Sequence, residues 1–202
     1  MSILWSKAYE PYAIKSNMEL MSCESSNDMN ALFNRVCVNY EGKVYHRFEA
    51  SSVVDVDDAR LEYFSKKVFP KIKDSLEGGT MIFTSSYFEF VRIRNFLKYT
   101  KQSDVSRSRL WFFEGRRKIM LYTERAHFYH RYKIRGIKNL VIYSLPERKE
   151  FYTEMVNMLE GSNSMSCSVL FSRFDLYRLE RIVGTASVTR MSSSDKATFV
   201  FC

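Results

Sequence analysis

Residues 122–136, with the sequence YTERAHFYHRYKIRG, combine four Lys and Arg side chains, two histidines and four aromatic rings. Lysine and arginine bind phosphate groups, and aromatic rings stack on unpaired bases, so this mixture is typical of a surface that binds nucleic acid. The same residues also fit a helix whose rings pack inward while its cations face water. The residues alone leave both interpretations open.

The net positive charge of the chain is concentrated around this segment. The 202 residues carry 31 Lys and Arg against 23 Asp and Glu, a net charge of +8. Residues 101–150 contain 13 Lys and Arg against 5 Asp and Glu, so this quarter of the chain alone has a net charge of +8. Nucleic acid or another acidic partner would be attracted to it, although a basic protein without such a partner has a similar composition.

Eight cations of this region are the candidate contacts to RNA phosphates, and Tyr129 or Tyr132 is the candidate platform for an unpaired base. The run WFF at residues 111–113 is predicted to lie mostly in the core, with Leu110 and Phe113 facing inward. The eight candidate cations are Arg107, Arg109, Arg116, Arg117, Arg125, Arg131, Lys133 and Arg135.

Motifs for nucleotide chemistry are missing from the sequence. Neither the pattern GxxxxGK(S/T) nor the pattern GxGxxG is present. The one double glycine, Gly78-Gly79, precedes a predicted strand, so it cannot present backbone amides at a helix N-terminus. No serine lies in a GxSxG elbow. We therefore expect no cofactor and no small-molecule substrate.

Metal ligands at a suitable spacing are missing as well. An acidic cluster stands at the start of a predicted helix, where carboxylates cap the helix and complement its dipole, with Asp57 or Asp58 as the N-cap. The three histidines and four cysteines form no ligand set. We interpret His127 and His130 as surface or stacking residues, and we expect no metal.

The elements that position these residues alternate between strand and helix from about residue 57 to residue 184. Buried strands are predicted within TMIFTSS, KIMLYT, NLVIYSLP and SCSVLFSRFD, with helical periodicity between them. This alternation predicts an α/β domain of three layers, with a mainly parallel sheet and helices on both faces. Pro70 is expected to kink or break the first helix, and Gly184 to end the last one.

The first 50 residues are predicted to form an irregular or partly disordered segment, and residues 51–202 to form the domain. Within the first segment, RVCVNYEGKVYHRF indicates a hairpin across Glu41-Gly42. No apolar run reaches the roughly 18 residues of a membrane span, so we expect no membrane partner.

Several segments resemble known proteins. GGTMIFTSSYFEFVRIRNFLK resembles the strand and helix of motif IV in the second RecA-like domain of superfamily-two RNA helicases, and the region from SRSRLWFFEG onward resembles the path through motifs V and VI. LYTERAHFYHRYKIRG, YSLPERKEFY, VLFSRFD and LERIVGT resemble the carboxy-terminal pseudo-helicase domain of the digestive organ expansion factor family, which are U3 small nucleolar RNA-associated proteins of the small-subunit processome.

The resemblance covers about residues 50–202 and implies a RecA-like, helicase C-terminal-like fold. Only residues 100–102 separate the helix that ends near Tyr99 from SDVSRSR, where the family carries a further strand, so the loss of one strand is an open alternative and the chain looks shortened. The family implies a location in the nucleus and nucleolus and a role in 18S ribosomal RNA maturation. It implies pre-ribosomal RNA, U3 small nucleolar RNA and processome proteins as partners.

Catalysis is not expected. An active helicase of this type carries a glycine, an acid and an arginine finger in motifs V and VI, and the arginine stabilises charge on the transferring phosphate. The motif VI position reads EFYTEMVNML here, with no arginine between Lys149 and Arg173, and residues 122–136 replace motif V. The first RecA-like domain, which would hold ATP, is not part of this sequence.

The sequence therefore predicts a non-enzymatic ribosome-biogenesis factor that docks onto RNA and processome proteins through residues 101–150. A nucleolar adaptor that recruits proteins without binding RNA is one alternative, and an ATP-dependent RNA helicase is another. Binding to RNA phosphates must weaken steeply with salt, which separates the first prediction from the adaptor.

Overall fold

A computed structural model describes residues 40–74, 78–97, 105–160 and 165–201 of the chain. Its centre is a six-stranded sheet in the order β3-β2-β4-β5-β1-β6. The first five strands along the chain are parallel to their neighbours, and only β6 is antiparallel. The strands are β1 (Tyr40–Arg47), β2 (Thr80–Thr84), β3 (Ile119–Thr123), β4 (Asn139–Ile142), β5 (Met165–Phe171) and β6 (Thr198–Phe201).

Helices connect these strands. A five-residue π-helical turn, Phe64–Val68, joins the first two helices, and at its end the Phe69 amide donates to the Phe64 carbonyl. This turn ends two residues before Pro70, where the sequence predicted a kink or a break. The helices are α1 (Val56–Tyr63), α2 (Phe69–Asp74), α3 (Tyr87–Phe96), α4 (Val105–Phe113), α5 (Glu124–His130), α6 (Lys149–Val156), α7 (Leu176–Val183) and α8 (Thr185–Ser193).

The sheet separates two apolar cores, because successive side chains of a strand point to opposite faces. On β2, Met81 and Phe83 contribute to the first core and Ile82 to the second. Helices α4, α6, α7 and α8 cover the first face, whereas α1, the π-helical turn and α3 cover the second. The predicted three-layer α/β architecture with a mainly parallel sheet is therefore confirmed.

The amino-terminal strand corrects one prediction. The hairpin across Glu41-Gly42 is wrong, because residues 40–47 form one continuous strand that pairs in parallel with β5. The register shifts between Glu41 and Lys43, so Gly42 lies at a bulge within the strand. The sheet thus includes residues that precede position 51, and residues 1–39 of the predicted irregular segment lie outside the described part of the chain.

The carboxy-terminal part adds two elements that the sequence did not indicate. Gly184 ends α7 as predicted, with a left-handed φ of 83° and its amide bonded to the Glu180 carbonyl. Helix α8 and strand β6 then follow, and β6 extends the sheet beyond β1. The loss of a strand before SDVSRSR stays a prediction, because residues 98–104 are not described. Within the described ranges, no helix is long and apolar enough to cross a membrane.

Candidate nucleic-acid interface

The basic surface defined here consists of α4, the turn that follows it, α5, and residues 131–138. Strand β3 leads directly into α5, whose N-cap Thr123 accepts a hydrogen bond from the Ala126 amide at 3.2 Å. Helix α5 ends at Arg131, whose amide donates to the His127 carbonyl and whose φ is 40°. This left-handed conformation reverses the chain and directs residues 131–138 back toward α4 and β4.

Helix α4 is attached to the core through Phe112, which is buried. Leu110 and Phe113 are 53% and 52% exposed, so the prediction that both face inward is wrong. Residues one and two positions away from Phe112 leave its face of a helix, because each residue turns the helix by about 100°. Phe113 contacts the loop instead, since Gly136 lies beside its ring, and about half of the side chain stays exposed.

Guanidinium groups on this surface lie over aromatic rings. Arg107 and Arg117 flank Trp111, with guanidinium carbons 5.9 and 5.8 Å from the ring centre. Further pairs have distances of 4.8 to 5.8 Å, and each such contact contributes about 0.5–1 kcal/mol at an exposed site. They are Arg109 over Tyr132, Arg125 over Tyr129, Arg131 over Phe151 and Arg135 over Phe113.

These contacts join α4 to the segment after α5. Arg109 reaches Tyr132 and also donates to the Lys133 carbonyl at 3.2 Å, and Arg135 reaches Phe113. Six of the eight predicted cations therefore belong to one continuous area, namely Arg107, Arg109, Arg116, Arg117, Lys133 and Arg135. Arg125 and Arg131, on and just after α5, lie over Tyr129 and Phe151.

The eight cations differ in how much of their charge faces solvent. Arg116 pairs with Glu114 at 2.8 Å, and Arg131 pairs with Glu154 at 3.3 Å. Arg107, Arg117, Arg125, Lys133 and Arg135 are exposed. The sequence analysis missed Arg148, which lies over Phe128 at 4.9 Å and belongs to the same charged stretch of the chain.

His127 is not the surface residue that the sequence predicted. It is buried, and its Nε2 donates to Glu154 at 2.9 Å while its Nδ1 bonds the Tyr122 hydroxyl at 3.1 Å. Burial lowers the pKa of His127, although Glu154 acts in the opposite direction. Because Glu154 also binds Arg131, this cluster fixes α5 against α6. His130 is exposed and stacks on Tyr132, as expected.

Both interpretations of residues 122–136 are therefore partly right. Tyr122, His127 and Ile134 pack into the core, whereas Phe128 and Tyr129 are 47% and 66% exposed. The segment contributes buried rings that hold it in place and exposed rings beside arginines.

The carboxyl edge of the sheet is the other place where a ligand would bind in this architecture. The connections from β2 and β4 leave in opposite directions, so the crevice between their ends is the topological switch point. The Ser85 amide donates to the Ser144 hydroxyl at 2.7 Å, and that hydroxyl donates to Glu89 at 2.5 Å. These polar groups at the ends of β2 and β4 therefore bond one another.

A buried ion network, defined as Arg60, Glu89 and Asp175, lies beside this crevice. Arg60 bonds Glu89 and also donates to Asp175 at 3.0 Å, and all three side chains are buried. Burial alone would lower the pKa of Arg60, but the two carboxylates raise it above its ordinary value. The sequence analysis missed this network, although Ser86 and Glu89 form a capping box that the S-x-x-E spacing indicates.

The network gives the carboxyl edge an electrostatic character unsuited to phosphate. Two carboxylates and one guanidinium stand near the switch point, so a polyphosphate placed there would meet negative charge. In the parts of the chain that the structure describes, no group of three or more His, Cys, Asp or Glu side chains is arranged to hold a metal ion.

Comparisons with known proteins identify the family and support the fold of this chain. Residues 34–201 match the family model described as Utp25, C-terminal domain. The chain is 55% identical to the Arabidopsis thaliana protein NUCLEOLAR FACTOR 1 over 91% of its length, and 34% identical to the human U3 small nucleolar RNA-associated protein 25 homolog over 98%. It spans only 28% and 30% of these relatives. Among solved structures, the C-terminal domain of the DEAD-box protein Dbp5 is similar over 79% of this chain and 89% of the Dbp5 chain, with a TM-score of 0.51 and 14% identity. This similarity shows a shared RecA-like fold.

Proposed function

The chain belongs to the Utp25 C-terminal domain family, and from this membership and the basic surface we propose that it is a non-enzymatic ribosome-biogenesis factor that binds RNA. The relatives are named as proteins associated with U3 small nucleolar RNA. On this proposal the chain works in the nucleolar small-subunit processome and supports maturation of 18S ribosomal RNA. Its partners are pre-ribosomal RNA, U3 small nucleolar RNA and processome proteins.

The observation that carries the RNA proposal is the alternation of exposed arginines and exposed rings on one surface. A guanidinium held over a ring is already oriented, so less side-chain entropy is lost when it meets a phosphate. The exposed rings of Phe113 and Tyr129 provide platforms for unpaired bases, and every base has a π face. This combination favours single-stranded RNA over duplex RNA, whose bases are already stacked.

The absence of catalysis is proposed from the carboxyl edge of the sheet. Ser85, Ser144 and Glu89 are hydrogen-bonded to one another beside the switch point, and the adjacent carboxylates disfavour nucleotide phosphates. The relatives are not named as enzymes. We expect the purified chain to bind no ATP in equilibrium dialysis, and saturable ATP binding would revive the helicase alternative.

The RNA proposal is tested by fluorescence anisotropy with a single-stranded RNA oligonucleotide at several salt concentrations. A triple variant, Arg107→Ala, Arg117→Ala and Arg135→Ala, removes three exposed cations of the basic surface. For single strands the salt slope changes by about 0.7 per phosphate contact, so we expect a slope smaller by about 2 and weaker binding at low salt.

The matched control is Lys67→Ala, Lys71→Ala and Lys73→Ala, which removes three exposed lysines from the π-helical turn and α2. Its net charge equals that of the first variant, so equal losses would indicate attraction by overall charge rather than a defined surface. Binding that does not vary with salt, or no binding at low salt, would favour the protein-recruiting adaptor instead.

A further inference from the structure

A cleft of about 440 Å³ lies over the buried ion network at the carboxyl edge of the sheet. The cleft does not belong to the basic surface, since none of the eight predicted cations lines it. Arg60, Glu89 and Asp175 contribute to its lining, and α1, the turn after β4 and α7 supply its rim.

The rim carries large apolar side chains that face solvent. Tyr177 is 73% exposed and Phe174 is 39% exposed, and both line the cleft. Val53, on the loop before α1, lines it too and is also exposed. Three large apolar side chains around one depression are unusual for a surface that meets only water.

The charge of the cleft is opposite to that of the whole chain. Its lining contains the carboxylates of Asp57, Glu89, Glu147 and Asp175 against the guanidinium groups of Arg60 and Arg178. Glu89 and Asp175 are buried against Arg60, whereas Asp57 and Glu147 keep 54% and 61% of their side chains exposed. The lining as a whole has a net charge of −2, in a chain whose net charge is +8.

We propose that this cleft binds a basic segment of a partner protein. A lysine or arginine of that segment would lie beside Asp57 or Glu147, whose partly solvated carboxylates can accept its hydrogen bonds in addition to their contacts with Arg60 and Arg178. A neighbouring apolar side chain would pack on Tyr177 and Phe174. Such an arrangement of aromatic anchors beside charged groups is common in protein interfaces.

The charge of the lining decides between this occupant and others. RNA would bring phosphates against an excess of carboxylates, which costs electrostatic energy at short range. A second copy of this chain also carries a net positive charge, +8, so self-association is a competing outcome of the test. The inference is independent of RNA binding, because no residue of the basic surface takes part.

The test measures binding of two fluorescent ten-residue probes to the full chain, one of alternating lysine and leucine and one of alternating glutamate and leucine. The variant Asp57→Asn with Glu147→Gln removes both rim charges with little change in shape. We expect it to bind the lysine probe about fivefold to tenfold more weakly, because each exposed ion pair contributes a modest part of the affinity. Tyr177→Ala should weaken the same probe through the lost apolar contact.

The matched control is Glu62→Gln with Glu150→Gln, which removes two exposed carboxylates outside the cleft and gives the same net charge. Equal weakening in both double variants, or equal affinity of the wild-type chain for both probes, would overturn the proposal. Self-association in sedimentation that the cleft variant abolishes would replace the partner protein by a second copy. Binding of a polyuridine oligonucleotide should not change in the cleft variant, and a parallel loss would contradict a separate protein site.

Discussion

Removal of the Arg60 side chain is expected to be the most damaging single change to the charged groups of this domain. In Arg60→Met the apolar stem is retained, but the guanidinium between Glu89 and Asp175 is lost. Both carboxylates are buried, so they cannot recover water in its place. Breaking a buried ion pair from one side typically costs about 3–5 kcal/mol of unfolding free energy.

This loss of unfolding free energy should lower the melting temperature of a domain of this length by a measurable amount. One kcal/mol shifts the melting temperature by about 2–4 °C in domains of 150–250 residues, so Arg60→Met should melt about 6–20 °C below the wild type. Urea denaturation followed by far-UV circular dichroism gives the free energy directly, and an unchanged m value shows that the unfolded states are comparable. Arg92→Met is the control, because its pair with Asp58 is exposed and such pairs contribute about 0–1 kcal/mol.

A rescue variant distinguishes the uncompensated charges from a simple loss of packing. Adding Glu89→Gln and Asp175→Asn to Arg60→Met removes the negative charges that lost their partner. We expect the triple variant to recover about half of the lost stability or more, since neutral substitutes for buried ion networks are often tolerated. If Arg60→Met costs no more than Arg92→Met, or if the rescue variant is less stable than Arg60→Met, the argument about uncompensated burial is refuted.

Three further outcomes follow from the geometry. Gly79→Ala should destabilise by about 1–3 kcal/mol in urea denaturation, because φ is 88° and the new Cβ would lie 2.6 Å from the Gly136 carbonyl oxygen, whereas Gly78→Ala should be nearly neutral. Burial lowers the pKa of His127, so the unfolded state binds more protons at low pH, and the free energy of unfolding should fall as pH drops from 7 to 5.5. His127→Gln should show a shallower fall, and a pH dependence equal to that of the wild type would contradict this reasoning. Burial raises the pKa of the Cys167 thiol to about 12, so mapping by mass spectrometry should find it unlabelled by iodoacetamide until urea unfolds the chain.

The order of strands and helices was accessible from the sequence because each element carries a local signal. The run TMIFT has an apolar centre, as expected for a strand buried on both faces, and it forms β2 with all five residues buried. The repeats of three and four residues around Phe64 and Ile93 indicated helices that cover the second face.

Features that depend on distant contacts were not accessible in this way. Phe113 does not face the core but lies beside Gly136, which a loop from another part of the chain supplies. His127 is buried because Glu154, 27 residues later, provides a partner for its ring nitrogen. Arg60 and Asp175 are 115 residues apart, and no local pattern marks them as a pair.

The candidate surface was predicted from composition, whereas only the fold shows which of its cations lie together. The charge count between residues 101 and 150 predicted a basic stretch, since charge density needs no knowledge of contacts, and that it binds RNA stays a prediction. The count could not indicate that Arg125 and Arg131 lie over rings of α5 and α6, or that Arg148 lies over Phe128. These groupings arise from the turn at residue 131 and from the packing of α5 on α6.

The turn at residue 131 places two opposing contributions to stability on one residue. A left-handed conformation costs an L-residue with a long side chain about 1–2 kcal/mol, and asparagine tolerates it better. Arg131→Asn would therefore relieve the backbone strain, but it would also remove the guanidinium that binds Glu154 and covers Phe151. An engineered chain gains stability from asparagine here only if the backbone strain exceeds what these two contacts contribute.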